Sequence, residues 1–273
     1  MILGCHLSIA SLEEMSKTAL SLETNTFQFF LRSPQAMNSK KKIFNDTDIK
    51  KLNELKISNP LAHAPFVANA ASSKEFVRNR AIEIIKEDLE SLNNINNSLY
   101  VFHPGAHVGD GIDIGIDRII NMLNKNLIKE QNTIILLETM TGKGTEIGGK
   151  FEDLAKIISA VNIKESIGVC LDTCHIWDAG YDIENNLEEV IEEFDDIIGL
   201  NYLKAIHLNN SLNDRGSKKD RHANLYNGKI SIEAFENIIN HEKLKNLPFY
   251  LETPVNTISD YKKDIELIKK IKH

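Results

Sequence analysis

The sequence predicts a single α/β domain spanning residues 1–273, folded as a TIM-type (β/α)8 barrel with its active site at the C-terminal face of the strands. Three observations carry this. Eight short apolar, β-branched segments recur along the chain, about 34 residues per unit, which suits a barrel of strand–helix repeats. Amphipathic, charged stretches lie between them, as right-handed βαβ units and a parallel sheet require. The main alternative, a doubly wound open sheet, usually carries a G-x-G-x-x-G turn after its first strand. Here that position reads "GCHLSIASLEE".

Taken in order, the strand segments are "ILGCHLS" from Ile2, "TFQFFL" from Thr26, "PLAHAPF" from Pro60 and "SLYVFHPG" from Ser98. "TIILLETM" from Thr133, "IGVCLDT" from Ile167, "LKAIHLN" from Leu203 and "PFYLETP" from Pro248 complete the set. Apolar residues at three- and four-residue intervals predict helices over Glu75 to Leu92, Asp113 to Leu123, Lys150 to Val161, Asn186 to Phe194 and Ser259 to Ile271. No linker-like or low-complexity stretch divides them. The N-terminal "MILGCHLSIA" lacks a basic region ahead of an apolar one, so it reads as a first strand rather than a signal peptide.

Composition narrows the class. No apolar run approaches the ~20 residues that span a bilayer, so no membrane partner is expected. Three cysteines, Cys5, Cys170 and Cys174, without a secretion signal point to a reducing cytoplasm. Cys170 and Cys174 are four apart, which is not the redox C-x-x-C spacing. A net charge of −7 argues mildly against nucleic-acid binding, but a bound metal cluster and one local basic patch can outweigh it. Such patches occur at Lys40 to Lys42 and in "DRGSKKDR" from Asp214 to Arg221, where solvated surface charge is the plainer explanation.

The strand ends carry the chemistry. His6, Gln28, His63, His103, Glu138, Asp172, His207 and Glu252 each lie at or near the C-terminal end of a different strand segment, and seven of these eight are metal-binding types. A barrel opens all those ends on one face. With His175, Asp220 and His222 from the following loops, the ligand set becomes His63, His103, Glu138, Asp172, His175, His207, Asp220, His222 and Glu252. Nine groups exceed what one tetrahedral zinc needs and suit two or three metals with shared carboxylates. Imidazole and carboxylate without thiolate favour zinc, with manganese or iron as substitutes. Closely spaced metals activate water and clamp both oxygens of a phosphate, so the residues alone read as a multi-metal phosphoesterase. Asp172 and His175 stand one helical turn apart, whereas the plainer alternative makes Asp172 only a helix cap and His175 a surface residue. "DRH" at Asp220 to His222 would project two ligands to one side if extended.

"HAPFVANAAS", "FHPGAHVGDG", "LETMTGKGTEIGGKFEDLAKI", "GVCLDTCHIWDAGYD", "IHLNNS", "GSKKDRHANL" and "YLETP" together resemble the endonuclease IV family, the trinuclear-zinc apurinic/apyrimidinic endonucleases of base-excision repair. The likeness spans essentially the whole chain. It implies three zinc sites: His63, His103 and Glu138; the bridging Glu138 with Asp172, His207 and Glu252; and His175, Asp220 and His222. It implies in-line attack on phosphorus beside Glu252, with Glu138 and Glu252 as the catalytic carboxylates. The product would be a nick 5′ to an abasic site in duplex DNA, leaving a 3′-hydroxyl and a 5′-deoxyribose phosphate. Repair of blocked 3′ ends, a monomeric state and action on cytoplasmic, nucleoid-associated DNA are further implications. DNA contacts would come from "FLRSPQAM" and "HAPFVAN", notably Arg32, Gln35, Phe66 and Asn69, and from Arg221 on phosphate. Cys170 and Cys174 become packing residues, and Asp178 becomes either a residue that backs a metal ligand or a loop residue, rather than a ligand itself.

Several features depart from the family pattern, among them the glycines usual after the first strand, replaced here by "SIASLEE". Gln35 stands where an arginine is usual, Asn210 where an acid is, and Tyr226 where a glycine is, which predicts an altered loop path there. Two rival readings stand beside the nuclease. A divalent-metal sugar isomerase or epimerase on the same barrel would need only one or two metals. A metal- or damage-binding protein that does not cut would suit a drifted DNA-facing rim.

Overall fold

The computed structural model describes residues 1–273. Eight parallel strands close into a barrel: β1 (Ile2–Leu7), β2 (Gln28–Phe30), β3 (Leu61–His63), β4 (Leu99–Phe102), β5 (Ile134–Glu138), β6 (Ile167–Asp172), β7 (Leu203–His207) and, after an excursion, β10 (Pro248–Leu251). The neighbours run β1-β10-β7-β6-β5-β4-β3-β2, so β1 closes on both β2 and β10. The excursion is a two-stranded antiparallel ribbon, β8 (Asn210–Ser211) with β9 (His222–Ala223). All eight expected strands are present, in the expected order.

The helices form the outer layer. They are α1 (Leu12–Ser21), α2 (Asp46–Glu54), α3 (Glu75–Leu92), α4 (Ile112–Asn126), α5 (Phe151–Ala160), α6 (Thr173–Ala179), α7 (Leu187–Ile197), α8 (Ile232–Asn240) and α9 (Tyr261–Ile271). The five helices expected from periodicity are α3, α4, α5, α7 and α9, with shifts of a residue or a few at their ends. α1 and α2 start on full capping boxes, Ser11 with Glu14 and Asn45 with Asp48, each satisfying two otherwise unpaired N–H groups. No helix is long and apolar enough to cross a membrane.

Strand alternation sorts the side chains into two sets. One set points outward and meets the helices in the main core, as Tyr100 and Phe102 of β4 and Ile135 and Leu137 of β5 do. The other fills the barrel lumen, where Leu61, Leu99, Val101, Leu136, Cys170, Ala205 and Tyr250 pack together. Two residues further along each strand lies a polar group of the same parity: Leu61 precedes His63, Val101 His103, Leu136 Glu138, Cys170 Asp172, Ala205 His207 and Tyr250 Glu252. A two-residue step advances a side chain roughly 6.6 Å along the strand without changing its face. The apolar plug and the polar layer above it therefore come from the same six strands. The lumen leaves little room at β1, where a Cβ on Gly4 would stand 2.6 Å from the Thr26 carbonyl oxygen.

Candidate metal centre

The structure brings all nine predicted ligands to one end of the barrel. Their donor atoms fall into groups whose members lie within 4.8 Å of one another: His63 with His103 and Glu138; Glu138 with Asp172, His207 and Glu252; and His175 with Asp220 and His222. Glu138 belongs to two of the groups. Its Oε2 lies 3.3 Å from His63 Nε2 and 3.2 Å from His103 Nε2, while its Oε1 lies 2.9 Å from His207 Nδ1. Glu252 Oε2 approaches the same His207 nitrogen at 3.2 Å. In the third group, Asp220 Oδ1 lies 3.1 Å from His175 Nε2 and 3.6 Å from His222 Nε2. Cys174 also comes within reach of Asp172 and His222. It is fully buried, and burial pushes its thiol far above the usual range, in keeping with a packing role.

Several imidazoles are aimed from behind. His63 Nδ1 donates to the Ala64 carbonyl at 2.7 Å and His175 Nδ1 to the Thr139 carbonyl at 2.8 Å. Each bond fixes the ring's orientation and turns Nε2, the nitrogen a neutral imidazole would offer to a metal, toward the centre. Asp172 does two jobs: Oδ1 caps α6 by accepting from the His175 N–H, while Oδ2 lies 3.6 Å from His222 Nε2. The helix-cap alternative is thus correct for Asp172, but His175 is buried, not a surface residue. The extended reading of "DRH" is not what is found. Asp220 has φ +55°, and this left-handed turn, rather than a strand, swings its carboxylate toward His175. Asp178 holds the turn, its carboxylate accepting from Ser211 Oγ at 2.7 Å and from Asp220 N–H at 2.9 Å.

Sequence reasoning missed Asn209. It is buried and donates from Nδ2 to Asp172 Oδ2 at 2.7 Å, while its Oδ1 accepts from the Glu252 backbone N–H at 2.8 Å. Its signal was available, because it stands two residues after His207. Asn210, the departure from an acid, is also buried. Its amide donates to the carbonyls of Leu225 and Ile230 and accepts from the N–H groups of Ser211 and Ile230. A carboxylate could do only the accepting half. Tyr226 is half-exposed and is not among the residues with positive φ, so this chain makes the turn without a glycine's backbone freedom.

The electrostatics fit cations. Burial would raise the Glu138 and Glu252 carboxyls, but His207 and its neighbouring imidazoles overrule it, holding Glu138 well below the usual range and Glu252 at about 2. Burial would lower His175 and His207, yet Asp172, Asp220 and Glu138 around His175, and Cys170, Glu252 and Glu138 around His207, hold both well above the ordinary histidine value. Glu138 Oε2, His175 Nε2 and His222 Nε2 are buried without a hydrogen-bond partner. Each such atom costs roughly 1–3 kcal/mol if nothing compensates it. Three of them converging with further imidazoles and carboxylates, and no thiolate, fit divalent metals of the zinc, manganese or iron type.

The centre opens into a cavity of about 430 Å³ lined in part by Phe30, Phe66, Arg221 and Pro254. Of the predicted DNA contacts, Phe66 is 57% exposed at this mouth, packing edge-on against Phe30, and Arg221 is exposed beside it. Gln35 is exposed on the loop after β2. Of the other two, Arg32 must be corrected, and Asn69 is partly buried. Arg32 is buried, and its guanidinium is taken by Asp88 at 2.6 Å and Glu87 at 2.9 Å on α3, so it ties a loop to a helix instead of facing DNA. Asn69 spends its amide on Ala106 N–H, Ala106 carbonyl and Ala71 N–H, which locks the loop after β3 to the loop after β4. Within the lysine triplet, Lys41 donates to the Glu87 carbonyl and so is not a free basic group.

Known proteins share this chain's sequence and fold. The chain is 52% identical to the probable endonuclease 4 of Clostridium beijerinckii over 274 residues, covering 98% of both chains. Its fold superposes on endonuclease IV from Thermus thermophilus with a TM-score of 0.86 at 26% identity, covering 99% of this chain and 98% of that one. The barrel as such is more widely shared. The E. coli 3-keto-D-glucoside 4-epimerase matches with a TM-score of 0.66 at 12% identity, covering 99% of each chain, a likeness of fold alone. Residues 18–271 match the family model described as the xylose isomerase-like TIM barrel. Within that broad barrel group, identity to its relatives across nearly the full length assigns the chain to the endonuclease IV family.

Proposed function

We propose that the protein is a DNA-repair endonuclease that uses three zinc ions to hydrolyse the phosphodiester 5′ to abasic sites in duplex DNA. The observation that carries this is the convergence of nine ligand side chains into three groups, two of them sharing Glu138, that border one cavity. His63, His103 and Glu138 would hold one ion, Glu138, Asp172, His207 and Glu252 a second, and His175, Asp220 and His222 the third. Bound there, such ions lower the pKa of water and neutralise charge on a phosphoryl group.

The chain's own residues supply the rest. Glu252, its carboxyl held at about 2 by the imidazoles around it, is supported from behind by Asn209 and Gln28 and would present a fixed carboxylate beside the attacking water. Arg221 at the mouth offers a guanidinium to a flanking phosphate, and exposed Phe66 offers an apolar face to a base step opened by the missing base. An abasic sugar needs no unstacking of its own base, which favours the lesion over intact DNA. The cavity borders on charged and imidazole groups suited to sugar and phosphate, so blocked 3′ ends are expected substrates too. The sugar-isomerase alternative leaves His175, Asp220 and His222 without a role. Monomeric action in the cytoplasm completes the proposal.

The test is incubation of metal-analysed protein with an abasic duplex. About three zinc ions per chain and a nick lost on chelation and in Glu252→Gln are expected. Zinc-replete protein that leaves the duplex intact refutes the reading, and one or two metals with sugar turnover would favour the isomerase.

A further inference from the structure

Two strand-end side chains, His6 and Gln28, belong to none of the three ligand groups, yet they share a layer with Glu252. β1 pairs with β2 so that His6 lies opposite Gln28, and with β10 so that Cys5 lies opposite Leu251, which sets Glu252 beside His6. Gln28 is fully buried. Its Nε2 lies 2.5 Å from Glu252 Oε1 and 3.0 Å from His6 Nδ1.

The orientation of this amide follows from its neighbours. The Glu252 carboxylate offers only lone pairs, so the end of Gln28 that faces it must be the NH2 group. The same nitrogen faces His6 Nδ1, which must then accept, leaving the ring proton on Nε2. The His6 ring lines the cavity and packs on Phe30 at 4.7 Å between centroids. Gln28 Oε1 is buried without a partner. A side chain that leaves its carbonyl unpaired while donating both N–H bonds points to a task for the donors.

We propose that His6 is a neutral hydrogen-bond donor to a phosphate oxygen of the bound strand, and that Gln28 is a positioning residue that fixes the His6 tautomer and the aim of Glu252 together. The substrate named here rests on the proposed nuclease activity. A neutral donor adds a directed contact beside the metal centre without adding a further positive charge.

The test uses zinc-loaded full-length protein. Long-range proton–nitrogen correlation of the imidazoles, with His6 identified by its loss in His6→Phe, is expected to show a protonated Nε2 and a bare Nδ1 across about pH 6 to 8. In Gln28→Met, which keeps the bulk but cannot donate, His6 is expected to populate both tautomers. On an abasic duplex, Gln28→Met should lower kcat about tenfold at unchanged zinc content, and His6→Phe should raise KM about tenfold. A wild-type His6 protonated on Nδ1, or a Gln28→Met protein with unaltered tautomer and kcat, overturns the proposal. The wild-type spectrum decides the tautomer even if a variant fails to fold. Wild-type protein that cuts no abasic duplex overturns the nuclease reading instead, together with the phosphate contact assigned to His6.

Discussion

The His175 N–H donates to Asp172 Oδ1 at 2.8 Å, so the side chain that ends β6 also starts α6. Strand end, helix start and metal centre are thereby built on one carboxylate, and its two oxygens can be separated by mutation. Asp172→Asn keeps a cap acceptor and should hold the stability of the metal-free protein within about 1 kcal/mol, while the zinc content of the loaded protein falls by about one ion per chain. Asp172→Ala removes the cap as well and should cost roughly a further 1 kcal/mol. Urea unfolding paired with metal analysis of each variant separates the two roles, and equal stability of the two variants would contradict the capping role.

Metal binding should be steeply pH-dependent. Burial opposes charge on His103, His175 and His207, but nearby carboxylates, joined at His207 by Cys170, raise all three above the ordinary histidine value. Without metal these imidazoles therefore keep protons to higher pH than free histidine does. A metal must displace those protons, so affinity rises with pH, and protons are released over a window extending above about pH 6.5. Calorimetry in buffers of different ionisation enthalpy counts them. Metal uptake that releases no protons near neutrality would contradict the assignment.

Arg221 should act through charge alone. It lies between two ligands, but its side chain is exposed and bonds within the protein only to the Asp220 carbonyl, at 2.9 Å. Arg221→Gln should weaken binding to an abasic duplex similarly across sequence contexts. It should also reduce the slope of log affinity against log salt by about one. Binding titrations at several salt concentrations provide the slope, and an unchanged slope excludes a phosphate contact.

Asn210→Asp restores the acid usual in the family, yet it should destabilise this chain. The new carboxylate would face the Leu225 and Ile230 carbonyls, to which the amide now donates at 2.9 Å each. Two donors lost at a buried site should cost roughly 2–4 kcal/mol, read as a lower urea midpoint. Gain of stability would show that the loop from β8 to α8 can reorganise around an acid.

Much of this was legible in the chain because two simple periods dominate it. Alternation along the strands put seven ligand-type side chains at equivalent ends, and the barrel collects strand ends by construction. What could not be read depends on partners far away in sequence. Arg32 looked like a DNA contact because its burial depends on Glu87 and Asp88, more than fifty residues on. Asn69 looked free for the same reason, its partner Ala106 lying on another loop. Asn209 passed unnoticed because an amide after a strand is common, and only the geometry shows it joining Asp172 to Glu252. The left-handed turn at Asp220 depends on Asp178, which no local pattern announces.

The two-residue step between lumen plug and polar layer has a consequence for quality control. Slipping one strand by a single residue would send its ligand outward into the helix layer and bring an apolar residue into the centre. Plug and metal centre would fail together, so no misregistered barrel could present a complete ligand set. Metal occupancy thus reports on the threading of the whole barrel, and a zinc-sensitive dye could distinguish native chains from compact misfolded ones during refolding.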